Sequence, residues 1–208
     1  MIKAVSACLA ALLLAAPAVA DPCLEEIAAL FDDGGAMDPF ARPPLHQFTQ
    51  EYDTDGNPTR LNEALFDGPL KTIAGVAAEN HFTMAIDRDL WNGPSLDGPW
   101  TGVDYQFPQG REEQMRAALA QNRANLTDTA CHGTEDGLLH YTWRTQTDKD
   151  ATGMFYGGLT DAWVDPDTGL MMRMEMTEFV NSWTEGTDMA RHEVRFEYDP
   201  SISVTAPE

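Results

Sequence analysis

Basic residues are scarce in this sequence of 208 residues, which has 13 Lys and Arg against 34 Asp and Glu. A surface with so few cations repels phosphate backbones and anionic lipid head groups. The composition therefore argues against a nucleic-acid partner and against peripheral binding to an anionic membrane. Because the acids are dispersed along the chain, a role in solubility is favoured over a cation store or a surface for a basic partner.

Long apolar runs are also missing, except at the beginning of the chain. Lys3 precedes an apolar run over 4–16, and Ala18-Val19-Ala20 completes the small-residue pattern of a cleaved secretory signal peptide. The run is too short to cross a bilayer, which takes about 20 residues. We expect cleavage after Ala20, no integral membrane segment in the mature chain, and a periplasmic or secreted location.

The mature chain is then residues 21 to 208, which is enough for a single domain with its own core. It would carry 12 basic and 34 acidic residues, a net charge of −22. No internal repeat or long linker divides it. We expect one domain, and the oligomeric state stays open.

Only two cysteines, Cys23 and Cys131, remain after processing. An exported protein meets an oxidising compartment, so we expect these two to form a disulfide. They form no C-x-x-C motif, which argues against a redox or metal-binding pair.

Catalytic and cofactor-binding motifs are absent. The chain has no H-E-x-x-H and no phosphate-binding glycine loop, and its histidines are scattered over different predicted elements. Asp53-x-Asp55-x-Asn57 opens like a calcium loop, but Pro58 and Ala64 stand where glycine and the bidentate Glu belong, so a turn is favoured. No cofactor, metal ligand or catalytic residue is predicted, although a pair of carboxylates that acts in hydrolysis could escape notice.

Two helices are predicted. The first is predicted between Cys23 and Phe31, where apolar residues recur at intervals of three and four residues, with Asp21 as the cap. The second is predicted over 111–125, which is rich in Ala, Glu, Gln and Arg. Gly, Asp and Pro mark 32–44 as a loop, and Gly, Pro and Trp mark 87–110 as an irregular excursion.

In the remaining segments apolar and polar residues alternate, which is typical of strands. They are 45–52, then 71–86 as one long strand or a bent pair, and then four strands in succession after the second helix. Short turns, including a hairpin loop at 165–169, make the last four an antiparallel meander. The fold class is therefore α+β, with a curved antiparallel sheet and two helices packed on one face.

Every second side chain of a strand points to the same side of the sheet, and the apolar set in the last strands predicts the concave face. We take this face as the candidate ligand-binding surface; its residues are Leu139, Tyr141, Trp143, Met172, Met174, Met176, Val194 and Phe196.

The methionines Met171, Met172, Met174 and Met176 allow three interpretations. They are ordinary core on a strand face, a flexible lining for varied apolar ligands, or soft thioether donors for Cu(I). No histidine is arranged with them, so we expect that copper is not a physiological ligand.

Two segments near the C-terminus resemble the LolA-like superfamily of bacterial envelope proteins. The first is 162–175, with a strand, the D-P-x-T-G-L hairpin of 165–170 and a second strand. The second is 196–207, which closes on Tyr198-Asp199-Pro200 and a final Ala206-Pro207. The resemblance implies an incomplete antiparallel barrel closed by helices, with an apolar cavity that receives acyl chains.

The leading functional hypothesis is an exported, non-catalytic binding protein for an apolar ligand, such as a lipid or lipoprotein acyl chain. An envelope protein-interaction or sensor domain without a small ligand is the first alternative, with an envelope protein as its partner. A hydrolase with an unidentified site is the second.

Overall fold

A computed structural model describes residues 21–149, 153–182 and 189–207. The predicted signal peptide, residues 1–20, lies outside these described residues. Helix α1 is Pro22–Ala29 and helix α2 is Arg111–Ala124. Asp21 caps α1 as predicted, since its carboxylate accepts a hydrogen bond from the Cys23 amide at 3.0 Å. Neither described helix has the length and apolar character that a bilayer span requires.

Within the described residues the sheet contains eleven strands, all paired antiparallel, and it is not closed. The strands are β1 Leu45–Asp53, β2 Pro58–Phe66, β3 Lys71–Val76, β4 His81–Ile86, β5 Asp89–Gly93, β6 Thr101–Gln106, β7 Thr127–Glu135, β8 Leu138–Gln146, β9 Tyr156–Val164, β10 Met171–Asn181 and β11 Met189–Tyr198.

Two sequential meanders make up this sheet, in the order β6-β5-β4-β3-β2-β1-β11-β10-β9-β8-β7. They are joined where β1 pairs with β11, from Leu45 opposite Tyr198 to Asp53 opposite Met189. Both helices lie against the β7–β8 end of the sheet. The fold is therefore the predicted α+β class, a curved antiparallel sheet with two helices on one face.

The main core lies between the helices and one face of β1 and β8–β11. Trp143 is 1% exposed and meets Phe31 edge to face, with 5.6 Å between ring centroids. Ile27 of α1 and Ala162 of β9 are fully buried in the same cluster. Burial of large apolar side chains of this kind contributes about 1.5–3 kcal/mol each, so this cluster fixes α1 to the sheet.

A second apolar cluster lies on the opposite face of the sheet. It is built on Ile73, Phe82 and Met84 and includes Val204 from the C-terminal segment, which is 2% exposed. The Val204 amide donates to the Asp67 carboxylate at 3.1 Å. The chain after β11 therefore crosses β3 and β4 and covers their outer surface.

The disulfide between Cys23 and Cys131 is confirmed, with a Cα–Cα distance of 5.7 Å. It joins the first turn of α1 to β7. Beside it, Tyr141 of β8 donates its hydroxyl hydrogen to the Glu26 carboxylate at 2.6 Å. Helix α1 is thus held by a covalent bond, by a hydrogen bond and by its apolar face.

The expectation of an irregular excursion over 87–110 is wrong, because β5 and β6 lie within it. Strand β6 is exposed along its whole length, and the two apolar residues that alternate in it, Val103 and Tyr105, are too few to identify a strand. The patterns also leave β2 and β7 unpredicted; β7 is mostly exposed, and β2 is exposed from Pro58 to Leu61. Segment 71–86 is two antiparallel strands, β3 and β4, separated by a short turn at 77–79.

Candidate functional site

Most residues of the predicted concave face lie together on one face of the sheet, in the main core. Tyr141, Trp143, Val194 and Phe196 are buried there, and Leu139 and Met174 pack against them half-buried. Their strands position them, since residues paired across strands share a face of the sheet. Met174, for example, is paired with both Ala162 and Val194.

Met172 and Met176 are half-buried but do not belong to this cluster, and Met171 does belong to it. The register between β9 and β10 shifts at this point, so that Met171 lies opposite Val164 and Arg173 lies opposite Trp163. Such a bulge inserts one residue and changes which side chains face the core. Met171 is fully buried as a result. Strict alternation from the sequence cannot show this, because a bulge breaks the period of two.

Helix α2 covers part of this face without burying any residue fully. Leu119 is half-buried against the core. Met115, also half-buried, faces a cleft beside the helix. By contrast, α1 buries Ile27 and Ala28. The two helices on the face are therefore held with very different strength.

Ion pairs on the surface tie α2 to the segment that follows α1. Arg123 Nε lies 2.8 Å from an Asp32 carboxylate oxygen. Arg116 lies 3.6 Å from Asp33, and its guanidinium group sits 4.0 Å from the centroid of the Phe40 ring. About half of each arginine side chain is exposed. Exposed pairs of this kind contribute only about 0–1 kcal/mol each.

Hydrogen bonds tie the end of α2 to β8. The Thr145 hydroxyl donates to the Asn122 carbonyl oxygen at 3.1 Å, and the Asn125 side-chain amide donates to the Gln146 carbonyl oxygen at 2.8 Å. These contacts are close to the C-terminal end of the helix, so they can serve as its hinge.

An apolar cleft opens between the first half of α2 and strands β1 and β2. Its volume is about 60 Å³, and Arg42 is the charged residue among those that line it. The lining residues are Pro39, Arg42, Pro43, Leu45, Gln47, Phe66, Gly68, Pro69 and Met115.

Arg42 is held in place by the loop that precedes β1. Its Nε donates to the Ala36 carbonyl oxygen at 3.0 Å, and its guanidinium carbon is 5.5 Å from the centroid of the Phe196 ring. Burial lowers the pKa of Arg42, while the charges of Tyr198 and Asp38 oppose that change. Arg42 is not predicted from the sequence, because a loop rich in proline has no period that predicts which side chains turn inward.

Comparison with known proteins finds similar solved structures. LprF from Mycobacterium bovis is 12% identical with a TM-score of 0.47, over 88% of this chain and 97% of LprF. A LolA superfamily protein from Nitrosomonas europaea is 10% identical with a TM-score of 0.33, over 83% of this chain and 90% of that protein. No protein-family model and no curated protein matches the sequence.

The second of these proteins is described as a member of the superfamily that the C-terminal motifs of this chain resemble.

Proposed function

We propose that the protein is an exported, non-catalytic carrier of an apolar ligand, a lipid or a lipoprotein acyl chain. The ligand lies between the concave face and helix α2. One observation carries the proposal: a large apolar face is covered by a helix with no fully buried side chain.

Displacing α2 exposes apolar surface at little cost to the rest of the fold. The helix contributes Leu119 to the core and Met115 to the cleft, both half-buried, and its surface ion pairs are weak. Helix α1 stays in place, because the disulfide and Ile27 hold it. The acyl chain then occupies the surface from which α2 has moved.

The size of the cleft indicates how the ligand enters. Ligand pockets usually measure about 300–1,000 Å³, whereas this cleft measures about 60 Å³. An acyl chain cannot fit into that volume. The carrier therefore binds by movement of α2 and not by filling a preformed cavity.

Arg42 gives the site a polar end. A guanidinium group at the mouth of an apolar cleft can donate hydrogen bonds to ester carbonyls or to an anionic head group. The acyl chain would extend from there beneath α2, past Met115 and toward Leu119. This geometry favours an amphiphile over a wholly apolar molecule.

Export is supported by two features. The first 20 residues have the pattern of a signal peptide, and the Cys23–Cys131 disulfide suits an oxidising compartment. Both features support a location outside the cytoplasm.

Native mass spectrometry of protein purified from a periplasm tests the proposal, followed by titration of the delipidated protein with a fluorescent fatty acid. The variant Met115→Trp places a larger side chain on the surface of α2 along which the acyl chain would extend, and it should weaken binding at least about tenfold. Val103→Trp is the matched control, because Val103 is exposed on the distant edge strand β6 and should bind as the parent does. Absence of bound lipid mass together with absence of probe binding would refute the carrier.

An interaction or sensor domain without a small ligand is the second candidate. It is favoured by the close packing of Tyr141, Trp143, Val194 and Phe196, which are buried together in the main core. The same two measurements distinguish it from a carrier, since such a domain would carry no lipid and bind no probe.

A further inference from the structure

A cluster of polar and aromatic side chains lies on the outer face of β7, β8 and β9, away from the cleft. His132, His140 and Asp161 each offer one ligand atom there, and all three atoms lie within 4.8 Å of one another. Thr142 and Glu135 complete the cluster.

Strand pairing explains how three distant residues meet. His140 is paired with Trp163 and Thr142 with Asp161, so all four share the outer face, opposite to buried Tyr141 and Ala162. His140 and Asp161 are diagonal neighbours within this arrangement.

A bulge in β7 brings in the third residue. Cys131 is opposite Tyr141 and Gly133 is opposite His140, so His132 is the extra residue between them. Gly133 has a φ of 82°, the left-handed conformation that glycine adopts readily at a bulge. The bulge leaves Cys131 bonded to Cys23, while the His132 ring lies 4.4 Å from that of His140, centroid to centroid.

The His140 ring lies between two carboxylates. Its Nδ1 is 3.0 Å from a Glu135 oxygen and its Nε2 is 3.0 Å from an Asp161 oxygen. A neutral imidazole has one N–H donor and one lone pair, so it can satisfy only one of the two. The other contact needs a second proton on the ring or a cation between the lone pair and the carboxylate.

Glu135 is positioned to accept a hydrogen bond from the His140 ring. The same Glu135 oxygen accepts a hydrogen bond from the Trp163 indole N–H at 3.0 Å, and His140 stacks on Trp163 with 4.5 Å between ring centroids and 12° between planes. If Nδ1–H donates to Glu135, the lone pair of Nε2 faces Asp161. Histidines that bind metals are usually oriented by a carboxylate in this way.

We propose that His132, His140 and Asp161 bind a Zn²⁺ ion, with Glu135 as the residue that orients His140. Two imidazole nitrogens and one carboxylate oxygen are donors that Zn²⁺ accepts, with a fourth position left to water. Ligand atoms around tetrahedral Zn²⁺ are roughly 3.3 Å apart. The three atoms now lie within 4.8 Å of one another, and His132 Nε2 lies 2.7 Å from the Thr142 hydroxyl oxygen, so the exposed His132 ring must leave Thr142 to reach that spacing.

The sequence predicts no metal ligand here, because His132, His140 and Asp161 do not have the spacing of a metal-binding motif. The site is on the opposite face from the cleft, so its test is independent of the carrier proposal.

The test uses residues 21–208 with the disulfide intact and any affinity tag removed. Zn²⁺ affinity is measured by competition with a chromophoric chelator, in excess Mg²⁺ so that the acidic surface is already occupied. Co²⁺ substitution adds a visible absorption spectrum that reports tetrahedral coordination by nitrogen and oxygen. We expect a single Zn²⁺ per chain and an intense tetrahedral Co²⁺ spectrum.

Four variants locate the ion. His132→Ala and Asp161→Asn should each weaken Zn²⁺ binding by at least about tenfold, and Glu135→Gln should weaken it by about 10–100-fold with Co²⁺ still tetrahedral. His81→Ala, an exposed histidine on β4, is the control and should leave the affinity unchanged. His132 is exposed, so its loss should not affect folding.

Two results would overturn the proposal. One is no Zn²⁺ binding in Mg²⁺ by the parent, which would mean that hydrogen bonds within the cluster hold these side chains together and not an ion. The other is equal affinity in the parent and His132→Ala, which would place the bound metal elsewhere on the acidic surface.

Discussion

Tyr141 connects the sheet to helix α1 through its hydroxyl group. It is 4% exposed and donates to the Glu26 carboxylate, and burial together with that hydrogen bond raises the pKa of its phenol. The variant Tyr141→Phe should lower the free energy of unfolding by about 1 kcal/mol. Urea denaturation measures this, and Tyr105→Phe, on an exposed residue, should have no effect.

The same residue predicts a dependence on pH. Because the folded state favours the neutral phenol, its contribution is fully present below the unfolded pKa of about 10 and is lost as pH rises above that value. The free energy of unfolding should therefore fall between about pH 9 and about pH 11. The fall should be smaller in Tyr141→Phe, and equal slopes in the two proteins would contradict the assignment.

Met174 tests whether the concave face is packed or open. It lies half-buried against the core beside fully buried Ala162, so Met174→Trp should overfill the site and lower stability by about 1–3 kcal/mol. Val180→Trp, on an exposed residue of the same strand, is the control. Unchanged stability in Met174→Trp would show room beside this residue and favour a preformed cavity.

At the scale of elements, the contrast between α1 and α2 makes a prediction for hydrogen exchange. Amides of α2 should exchange faster than those of β8 and β9, because local opening of α2 breaks few buried contacts. Arg123→Ala removes the pair with Asp32 and should speed exchange in α2 by up to about fivefold, the equivalent of about 1 kcal/mol.

Arg60→Ala removes a comparable exposed pair with Glu79, at 3.1 Å, far from α2. It should leave exchange in α2 unchanged. If α2 is instead as protected as the central strands, it does not act as a displaceable cover.

The elements also show what the sequence can predict. Both helices, the hairpin after β9 and the alternating strand β11 follow from local patterns, and the cysteine count predicts the disulfide. Strands β2, β6 and β7 are not predicted, because apolar residues do not alternate along β2 and β7, and only Val103 and Tyr105 do so in β6.

The sites depend on features that no local pattern records. Bulges place Met171 in the core and His132 on the outer face, and a loop turns Arg42 into the cleft. In each case the decisive geometry comes from pairing between strands or from a loop without a period.

At the scale of the whole molecule, the disulfide closes a long loop, since 108 positions separate its cysteines. Replacing both cysteines by alanine should lower the free energy of unfolding by up to about 4–5 kcal/mol, because the unfolded chain regains the freedom that the bond removes. Urea denaturation measures this. A loss below about 1 kcal/mol would mean that α1 is held almost entirely by its apolar contacts.

The strand order has a consequence for the time at which the fold can be completed. Of the ten pairings between the described strands, nine join strands that follow each other in sequence, but the tenth joins β1 to β11, from the far end of the chain. A polypeptide that is threaded through an export channel with its N-terminus first releases β1 long before its partner. Until residue 198 has emerged, the two halves of the sheet stay separate, and the last strand to arrive is the one that joins them.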